Sequence, residues 1–382
     1  MSNMLGSAAP NGPIRLLAVP GYEGRVNDII YHPPQTRSEE DSAVIYFGGD
    51  VQDYRENMEG HRDNKPYMKW SLDDTSERLS KRFPTCHVVV VRPVRSTTPK
   101  LATFMDFVSA EMDHNRMEFK TFSCYDNFVP CNNCGAPEHT PTHYTLQHLE
   151  RLLQCASARL RNMSVSQLRP QAHKDISKPA TDSASSNDVG STSSSVCPNE
   201  GGTLEPKLPS DQKLEKDQEK IWWKEGIQLD RAHLILIGFS KGCVVLNQII
   251  YEFHYLKTLT PDDDTMSKTV SRIRDMYWLD GGHSGGKNTW ITSRSLLETL
   301  TRLSINIHVH VTPYQVNDDR RPWIRKEEKA FCDLLRRLNA PIERTYHFEN
   351  QLPTLLTHFE VHNVFRPEGG CENNTSSSPP ET

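Results

Sequence analysis

The sequence predicts an α/β fold in which a mostly parallel sheet of about eight strands carries helices on both faces. Two observations lead to this prediction. Several short runs consist almost entirely of apolar residues, with Val and Ile enriched, which is typical of strands buried on both faces of a sheet. Amphipathic segments with helical spacing lie between these runs, and strands that alternate with helices favour parallel neighbours in one sheet.

The predicted strands are apolar runs bounded by Gly, Pro, Asn or Asp turn signals. The clearest is the fourth, in which four consecutive valines leave neither face polar. In chain order the predicted strands are Ile14–Val19, Asp28–His32, Ala43–Phe47, His87–Val91, His233–Ile237, Met276–Asp280, Ile305–Val311 and Arg344–Phe348.

The predicted helices repeat apolar residues every three or four positions, so that one stripe of each helix faces the sheet. Leu146, Leu149, Leu152 and Leu153 form such a stripe in the second helix. In chain order the predicted helices are Trp70–Arg82, Tyr144–Leu160, Lys241–Leu256, Leu297–Leu303, Arg325–Leu338 and a last one that starts near His358.

Composition divides the chain into one folded domain and segments outside it. The hydrophobic fraction of 36% is low and 25 prolines are present, so part of the chain is expected to lie outside the core. Residues 161–222 carry Ser runs, Pro and mixed charge, which is typical of a disordered insertion. Because strands and helices resume afterwards, this insertion interrupts a single domain over residues 14–365. Residues 1–13 and 366–382 are predicted to be flexible tails, and residues 95–143 form a long irregular excursion.

Charge and hydropathy exclude two classes of partner. A net charge of −5 gives no general attraction to nucleic acid or to anionic membranes. The longest apolar stretches are far shorter than the roughly 20 residues that a membrane-spanning helix requires. The first 22 residues show neither a secretory signal nor an Arg-rich transit peptide, which favours a cytoplasmic protein. We therefore predict no nucleic-acid partner, no transmembrane segment and no cofactor.

The nine cysteines are predicted to be reduced, because several lie inside apolar runs where a thiol packs as a small hydrophobe. Cys131 and Cys134 form an isolated CxxC pair. A zinc site would need further ligands, and His139 and His143 are the obvious local candidates. An isolated pair of this kind is more often an ordinary loop, so no metal site is predicted.

The segment Gly238–Gly242 has the pattern Gly-x-Ser-x-Gly and joins an apolar strand to an amphipathic helix. In this setting the pattern predicts a nucleophile elbow, with the Ser240 hydroxyl presented above the carboxyl edge of an α/β-hydrolase-like sheet. The backbone N–H of Lys241 is one predicted oxyanion donor, and Gly49 or Asp50 supplies the second. The Asp50 carboxylate would oppose an oxyanion unless it points away or pairs with a cation such as Lys241.

A serine hydroxyl needs a base, and this fold places an acid and then a histidine after the nucleophile in the chain. Asp318 follows the strand in which the acid usually lies and is preferred, while Asp280 at the end of the preceding strand is the alternative. His358 is the preferred base, and His362, four residues later, is the alternative. His283, in a Gly-rich loop, is a further polar candidate beside the pocket.

Several longer blocks of sequence resemble one protein family. They are Tyr46–Tyr54, Phe122–Val129, Gly135–His139, Ile237–Gln248, Met276–Gly286 and Val311–Val316. These blocks resemble the animal protein family named for an open reading frame on human chromosome 2. The resemblance covers most of residues 14–365 outside the insertion. It implies a serine hydrolase of the lipase and esterase type with a mitochondrial location, and it does not separate the competing acids and histidines.

The sequence therefore predicts an esterase, lipase or thioesterase that acts through an acyl-enzyme on Ser240. Its expected substrate is a small-molecule or lipid-like ester. The alternative is a catalytically silent protein of the same fold that uses the pocket or the Asp50 loop to bind a partner protein, because one fold hosts many functions.

Overall fold

The computed structural model describes most of the predicted domain. The described residues are 12–95, 123–132, 136–164, 167–168, 221–224, 226–260, 262–283 and 286–367. Their strands are β1 (Ile14–Pro20), β2 (Val26–His32), β3 (Ser42–Phe47), β4 (His87–Val91), β5 (Val94–Arg95), β6 (Ser123–Cys124), β7 (His233–Phe239), β8 (Ile273–Leu279), β9 (Asn306–Val311) and β10 (Ile342–Tyr346).

The helices lie mainly in the connections between parallel strands, as expected for this class. They are α1 (Arg55–Glu59), α2 (Leu72–Arg82), α3 (Thr145–Asn162), α4 (Cys243–Leu259), α5 (Asp264–Ser271), α6 (Arg294–Arg302), α7 (Pro313–Val316), α8 (Pro322–Arg337) and α9 (Leu355–Val364). Among the described helices, none is both long enough and apolar enough to cross a bilayer.

Eight strands form one sheet in the order β1-β2-β4-β3-β7-β8-β9-β10. β2 runs antiparallel to both of its neighbours, whereas β4, β3 and β7 to β10 pair in parallel. β5 and β6 pair separately as a short antiparallel ribbon. The order and directions of the eight strands are those of the α/β-hydrolase fold, so the predicted fold class is confirmed.

Alternate residues of each central strand face opposite sides of the sheet, and both sides are apolar. In β4, Val89 and Val91 belong to the core on one face, while Val88 and Val90 belong to the core on the other. Helices α3, α4, α6 and α8 cover the first face, and α2 and α9 cover the second. Fully burying one such valine contributes about 1.5 kcal/mol or more, which explains why the strand sequences are almost uninterrupted apolar runs.

All eight predicted strands are present, and the six predicted helices form close to their expected positions. Helices α1, α5 and α7 were not predicted; they are only four to eight residues long, which gives periodicity little to act on. Residues 1–11, 96–122, 169–220 and 368–382 lie outside the described residues, so the predicted insertion and tails remain predictions.

Several buried histidines are held neutral in the fold, and His148 shows how. Its Nδ1 accepts a hydrogen bond from the backbone N–H of Tyr22 at 3.1 Å, so Nε2 carries the proton and donates to Asn27 Oδ1 at 2.9 Å. Burial lowers the pKa of His148 to about 3. Burial likewise lowers the pKa of His87 to about 4 and that of His310 to about 3.

We expect the free energy of unfolding to fall as the pH drops from about 6.5 towards 4. In this pH window the histidines are protonated in the unfolded chain but stay neutral in the folded one. Each such histidine therefore lowers the free energy of unfolding by about 1.4 kcal/mol per pH unit. Urea denaturation at pH 7 and pH 5 measures the loss. His148→Gln keeps an acceptor and a donor without titrating, so its stability should depend less on pH. Equal stability of the native chain at both pH values would contradict this expectation.

Candidate active site

Ser240 lies on a sharp turn between β7 and the helical turn that leads into α4, and its φ is 52°. This left-handed conformation costs a non-glycine residue about 1–3 kcal/mol. The glycines on either side of Ser240 leave no room for side chains. A Cβ on Gly242 would lie 2.0 Å from the carbonyl oxygen of Phe47, and one on Gly238 would lie 2.8 Å from Cys243 Cα. The strand and helix can close on each other here only because both positions are glycine.

Asp280 follows β8 directly and is completely buried, with φ at 47°. Its Oδ1 accepts the backbone N–H of Thr312 at 2.7 Å, and its Oδ2 accepts the Thr312 hydroxyl. The Nδ1 of His358 lies 2.6 Å from the same Oδ2. Because the carboxylate accepts from every partner, Nδ1 of His358 carries a proton and Nε2 is left as the basic nitrogen.

His358 sits on α9 and is held by two aromatic rings. Its ring centroid lies 4.5 Å from that of Phe239 and 4.6 Å from that of Tyr314, with interplanar angles of 31° and 30°. The His358 side chain is 3% exposed, so packing as well as the hydrogen bond to Asp280 restricts its rotation. Such packing keeps a histidine in one orientation towards its neighbours.

Ser240 and His358 line one cleft of about 210 Å³, together with His283, Tyr314, Gln315 and Arg321. The Ser240 hydroxyl forms no hydrogen bond with the described part of the chain. Hydrogen bonds between a nucleophile and its base are often long before substrate binds. The missing hydrogen bond therefore does not exclude the pairing of Ser240 with His358, because both residues line the same cleft.

The preference for Asp318 as the partner of His358 is wrong. The Asp318 carboxylate instead accepts from Arg321 Nε at 2.8 Å and from Arg320 Nε at 3.3 Å. After β9 the chain turns at once into α7, which carries Asp318 away, whereas Asp280 ends the neighbouring strand beneath α9. The alternative that the sequence also offered, Asp280, is the residue that the structure brings to His358.

His362 faces away from the cleft. Its Nε2 lies 2.8 Å from the Tyr46 hydroxyl and its Nδ1 lies 2.8 Å from the carbonyl oxygen of Phe359. Burial lowers the pKa of His362 to about 3. The preference for His358 therefore agrees with the geometry. His283 does border the cleft, where its Nε2 lies 3.2 Å from the carbonyl oxygen of Asn288 and burial lowers its pKa to about 4.

Gly49 packs directly against the elbow, since a Cβ on it would lie 3.0 Å from Ser240 Cβ. Its N–H, however, donates to Gln52 Oε1 at 3.0 Å. The Gln52 amide also donates to the carbonyl oxygen of Trp70 at 2.7 Å, so Gln52 is fixed in place. Of the two backbone N–H donors predicted in this loop, that of Gly49 is thus already hydrogen-bonded within the protein. The N–H of Asp50 is the other predicted donor. No sequence pattern indicated this role of Gln52.

The Asp50 carboxylate pairs with Lys241, which is one of the two arrangements that the sequence left open. Lys241 Nζ lies 3.3 Å from Asp50 Oδ1. The Lys241 side chain is 4% exposed and the Asp50 side chain 40% exposed. Because little water screens the ammonium, the pair reduces the negative charge that Asp50 presents to the cleft.

The cysteine pair has no described metal ligands around it. The Cys131 thiol lies 3.6 Å from the carbonyl oxygen of Val129, whereas Cys134 lies outside the described residues. Within the described ranges, no group of three or more His, Cys, Asp or Glu side chains could hold a metal ion.

A model of the C2orf69 family matches residues 15–115 and 112–341. The chain belongs to the C2orf69 family. A mouse protein named mitochondrial protein C2orf69 homolog is 37% identical over 322 residues, covering 84% of this chain and 77% of the mouse protein. The human mitochondrial protein C2orf69 is also 37% identical, covering 84% of this chain and 74% of the human protein.

The C2orf69 family match includes Ser240 and Asp280 but ends before His358, whose assignment depends on geometry. Among solved structures, a dienelactone hydrolase from Anabaena variabilis is 8% identical with a TM-score of 0.33, covering 93% of this chain and 95% of that chain. A likeness at this level says nothing of activity. For this member of the C2orf69 family, the fold assignment comes from the strand order.

Proposed function

We propose that the protein is a serine hydrolase that cleaves an ester or thioester through an acyl-enzyme on Ser240. One observation carries the proposal: His358, whose Nδ1 is hydrogen-bonded to the buried Asp280, borders the same cleft as the strained Ser240 turn. Nucleophile, acid and histidine also follow one another in the chain order that this fold uses.

In the first half of the reaction, Ser240 Oγ attacks the carbonyl carbon while His358 Nε2 accepts the hydroxyl proton. Asp280 holds the Nδ1–H of the imidazole and stabilises the imidazolium that forms. The imidazolium then donates its proton to the leaving alcohol or thiol, and the acyl group remains on Ser240. The three hydrogen bonds that Asp280 accepts keep its carboxylate oriented for this role.

The oxyanion needs preorganised donors, and we assign them to the backbone N–H groups of Lys241 and Asp50. Lys241 lies in the first helical turn after Ser240, where the helix dipole also favours negative charge. The Asp50 carboxylate would repel an oxyanion bound at these N–H groups, but the Lys241 ammonium pairs with it and offsets its charge. Hydrolysis of the acyl-enzyme by a water that His358 activates completes the cycle.

The cleft favours a short acyl group or the head of a larger lipid-like substrate. Its volume of about 210 Å³ is below the roughly 300–1,000 Å³ of pockets that enclose a drug-sized ligand. Leu355 and Phe359 give one wall an apolar surface that a hydrocarbon chain can contact. We also infer a mitochondrial location, because the mouse and human relatives are named as mitochondrial proteins.

A silent protein that binds a partner is the second candidate, and one observation favours it. The N–H of Gly49, which a working oxyanion hole could use, is occupied by the Gln52 side chain. If Asp50 does not supply the second donor, the pocket would bind an ester without stabilising its transition state.

A fluorophosphonate probe separates the two candidates, because it modifies only an activated serine. We expect the native chain to be labelled and Ser240→Ala to remain unlabelled. Ser293→Ala, which removes an exposed serine before α6, is the matched control and should label normally. A monodisperse, folded native chain that never reacts would reject the hydrolase in favour of the binding protein.

A further inference from the structure

Arg321 borders the cleft, and only the Nε of its guanidinium group is held by a hydrogen bond to a described residue. Its Nε donates to Asp318 Oδ2 at 2.8 Å, and its guanidinium carbon lies 5.8 Å from the centre of the Tyr314 ring. Its two terminal nitrogens form no hydrogen bond with the described residues, and the side chain is 23% exposed. The terminal edge of the guanidinium therefore keeps donors available beside Ser240 and His358.

The carboxylate of Asp318 is shared between two arginines. Arg320 also contacts this carboxylate, with Nε 3.3 Å from Oδ1, so two guanidinium groups share one acid. Burial alone would raise the pKa of Asp318, but hydrogen bonds from Arg321 and from the Arg320 backbone outweigh it and lower that pKa. The acid therefore stays ionised near neutral pH and holds Arg321 in place, while the trio retains one net positive charge.

A purely structural arginine on a loop usually spreads its donors over nearby backbone carbonyls or extends into solvent. In Arg321, by contrast, only Nε is held by a hydrogen bond. The two terminal nitrogens form a planar pair of donors in the partly buried wall of the cleft. Such a pair of donors matches the two oxygens of a carboxylate or phosphate, and charge-assisted bonds of this kind are stronger than neutral ones. Asp50 is the acidic side chain lining the cleft, and Lys241 pairs with it.

We propose that Arg321 selects substrates that carry an anionic group, a carboxylate or a phosphate, close to the ester or thioester that is cleaved. The inference rests on the proposed function for the hydrolytic step, but the binding of an anion beside Ser240 does not require that step. Asp318 acts as a positioning residue, because it fixes the Nε edge of Arg321 and directs the other edge away from itself.

The kinetic experiment compares mono-4-nitrophenyl adipate with neutral 4-nitrophenyl hexanoate, which has the same chain length. In the native chain we expect the ratio of kcat/KM to favour the anionic ester. Arg321→Gln should lower this ratio by about 10- to 100-fold, mainly through KM, because it removes charge-assisted hydrogen bonds. Arg320→Gln is the matched control: it removes the same charge from the same carboxylate, but Arg320 is 84% exposed and does not line the cleft, so the ratio should persist.

A binding experiment makes the inference independent of catalysis. Calorimetry with the Ser240→Ala chain would measure adipate and phenyl phosphate, and the tighter ligand distinguishes a carboxylate from a phosphate substrate. Arg321→Gln in this background should weaken that ligand at least tenfold and Arg320→Gln should not. If Arg321→Gln alone weakened anion binding but the native chain hydrolysed no ester, the proposed function would be rejected and the anion site would still be supported. Equal binding by both arginine variants, or no binding of either anion, would overturn the inference.

Discussion

Replacing Ser240 by alanine is expected to lower ester turnover by on the order of 10⁴-fold or more, because no acyl-enzyme can form. The substitution removes one oxygen from a cleft, and alanine tolerates the left-handed backbone at this turn about as well as serine does. The melting temperature should therefore stay close to that of the native chain. Steady-state hydrolysis of a 4-nitrophenyl ester, with both chains compared at equal concentrations of folded protein determined by absorbance, measures the loss.

The double variant Ser240→Ala/His358→Ala provides the internal check. Residues that act as one unit show non-additive losses, so removing His358 from a chain that already lacks Ser240 should cost almost nothing further. Two independent, multiplying losses would show that His358 does not serve Ser240. A loss of only a few fold in Ser240→Ala alone would indicate a different nucleophile.

The strands were readable from the sequence because both faces of a central parallel strand must be apolar. The segment His87–Val91 contains four consecutive valines, and all five of its residues are buried in the structure. Short helices such as α7 were not readable, since four residues span little more than one turn and carry no usable period. Local patterns thus predict elements that the core requires and miss those that only connect them.

The sharp turn at Ser240 was predictable for the same local reason. Gly238, Ser240 and Gly242 lie within five residues, and the steric demand for glycine acts between neighbours in the chain. The carboxylate that pairs with His358 was not predictable, because Asp280 and Asp318 both follow strands of one sheet and either could meet a histidine. The choice depends on where α9 crosses the sheet edge and on the two hydrogen bonds that Thr312 gives to Asp280.

The oxyanion side shows a further limit of local reasoning. The sequence left two arrangements open for the Asp50 carboxylate, pointing away from the elbow or pairing with a cation such as Lys241, and the structure shows the pair with Lys241. The sequence could not show that Gln52 folds back onto the N–H of Gly49, since that contact depends on the partners that Gln52 finds at Trp70 and Thr75. Networks of buried polar groups are set by tertiary packing and leave no periodic signal.

Asp280→Asn is expected to lower turnover by about 10⁴-fold while leaving the fold intact, a loss comparable to that from removing the nucleophile. The Thr312 N–H would still require an oxygen at the Oδ1 position, so the asparagine amide nitrogen would face His358. That nitrogen donates, which favours the imidazole tautomer protonated at Nε2. A nitrogen that already carries a proton cannot accept one from Ser240, so the base is lost although every side chain remains in place.

The matched control is Asp275→Asn, on β8, the strand that Asp280 directly follows. Asp275 Oδ1 lies 3.1 Å from Nε2 of His308 on β9, so this substitution also changes an Asp–His pair, but one that does not border the cleft. Turnover should stay within a few fold of the native value, and thermal unfolding should show that both variants are folded. If Asp318→Asn gave the 10⁴-fold loss and Asp280→Asn did not, the acid would be the one that the sequence first favoured. The pairing of His358 with Asp280 would then hold only in the free protein, and α9 would have to move when substrate binds.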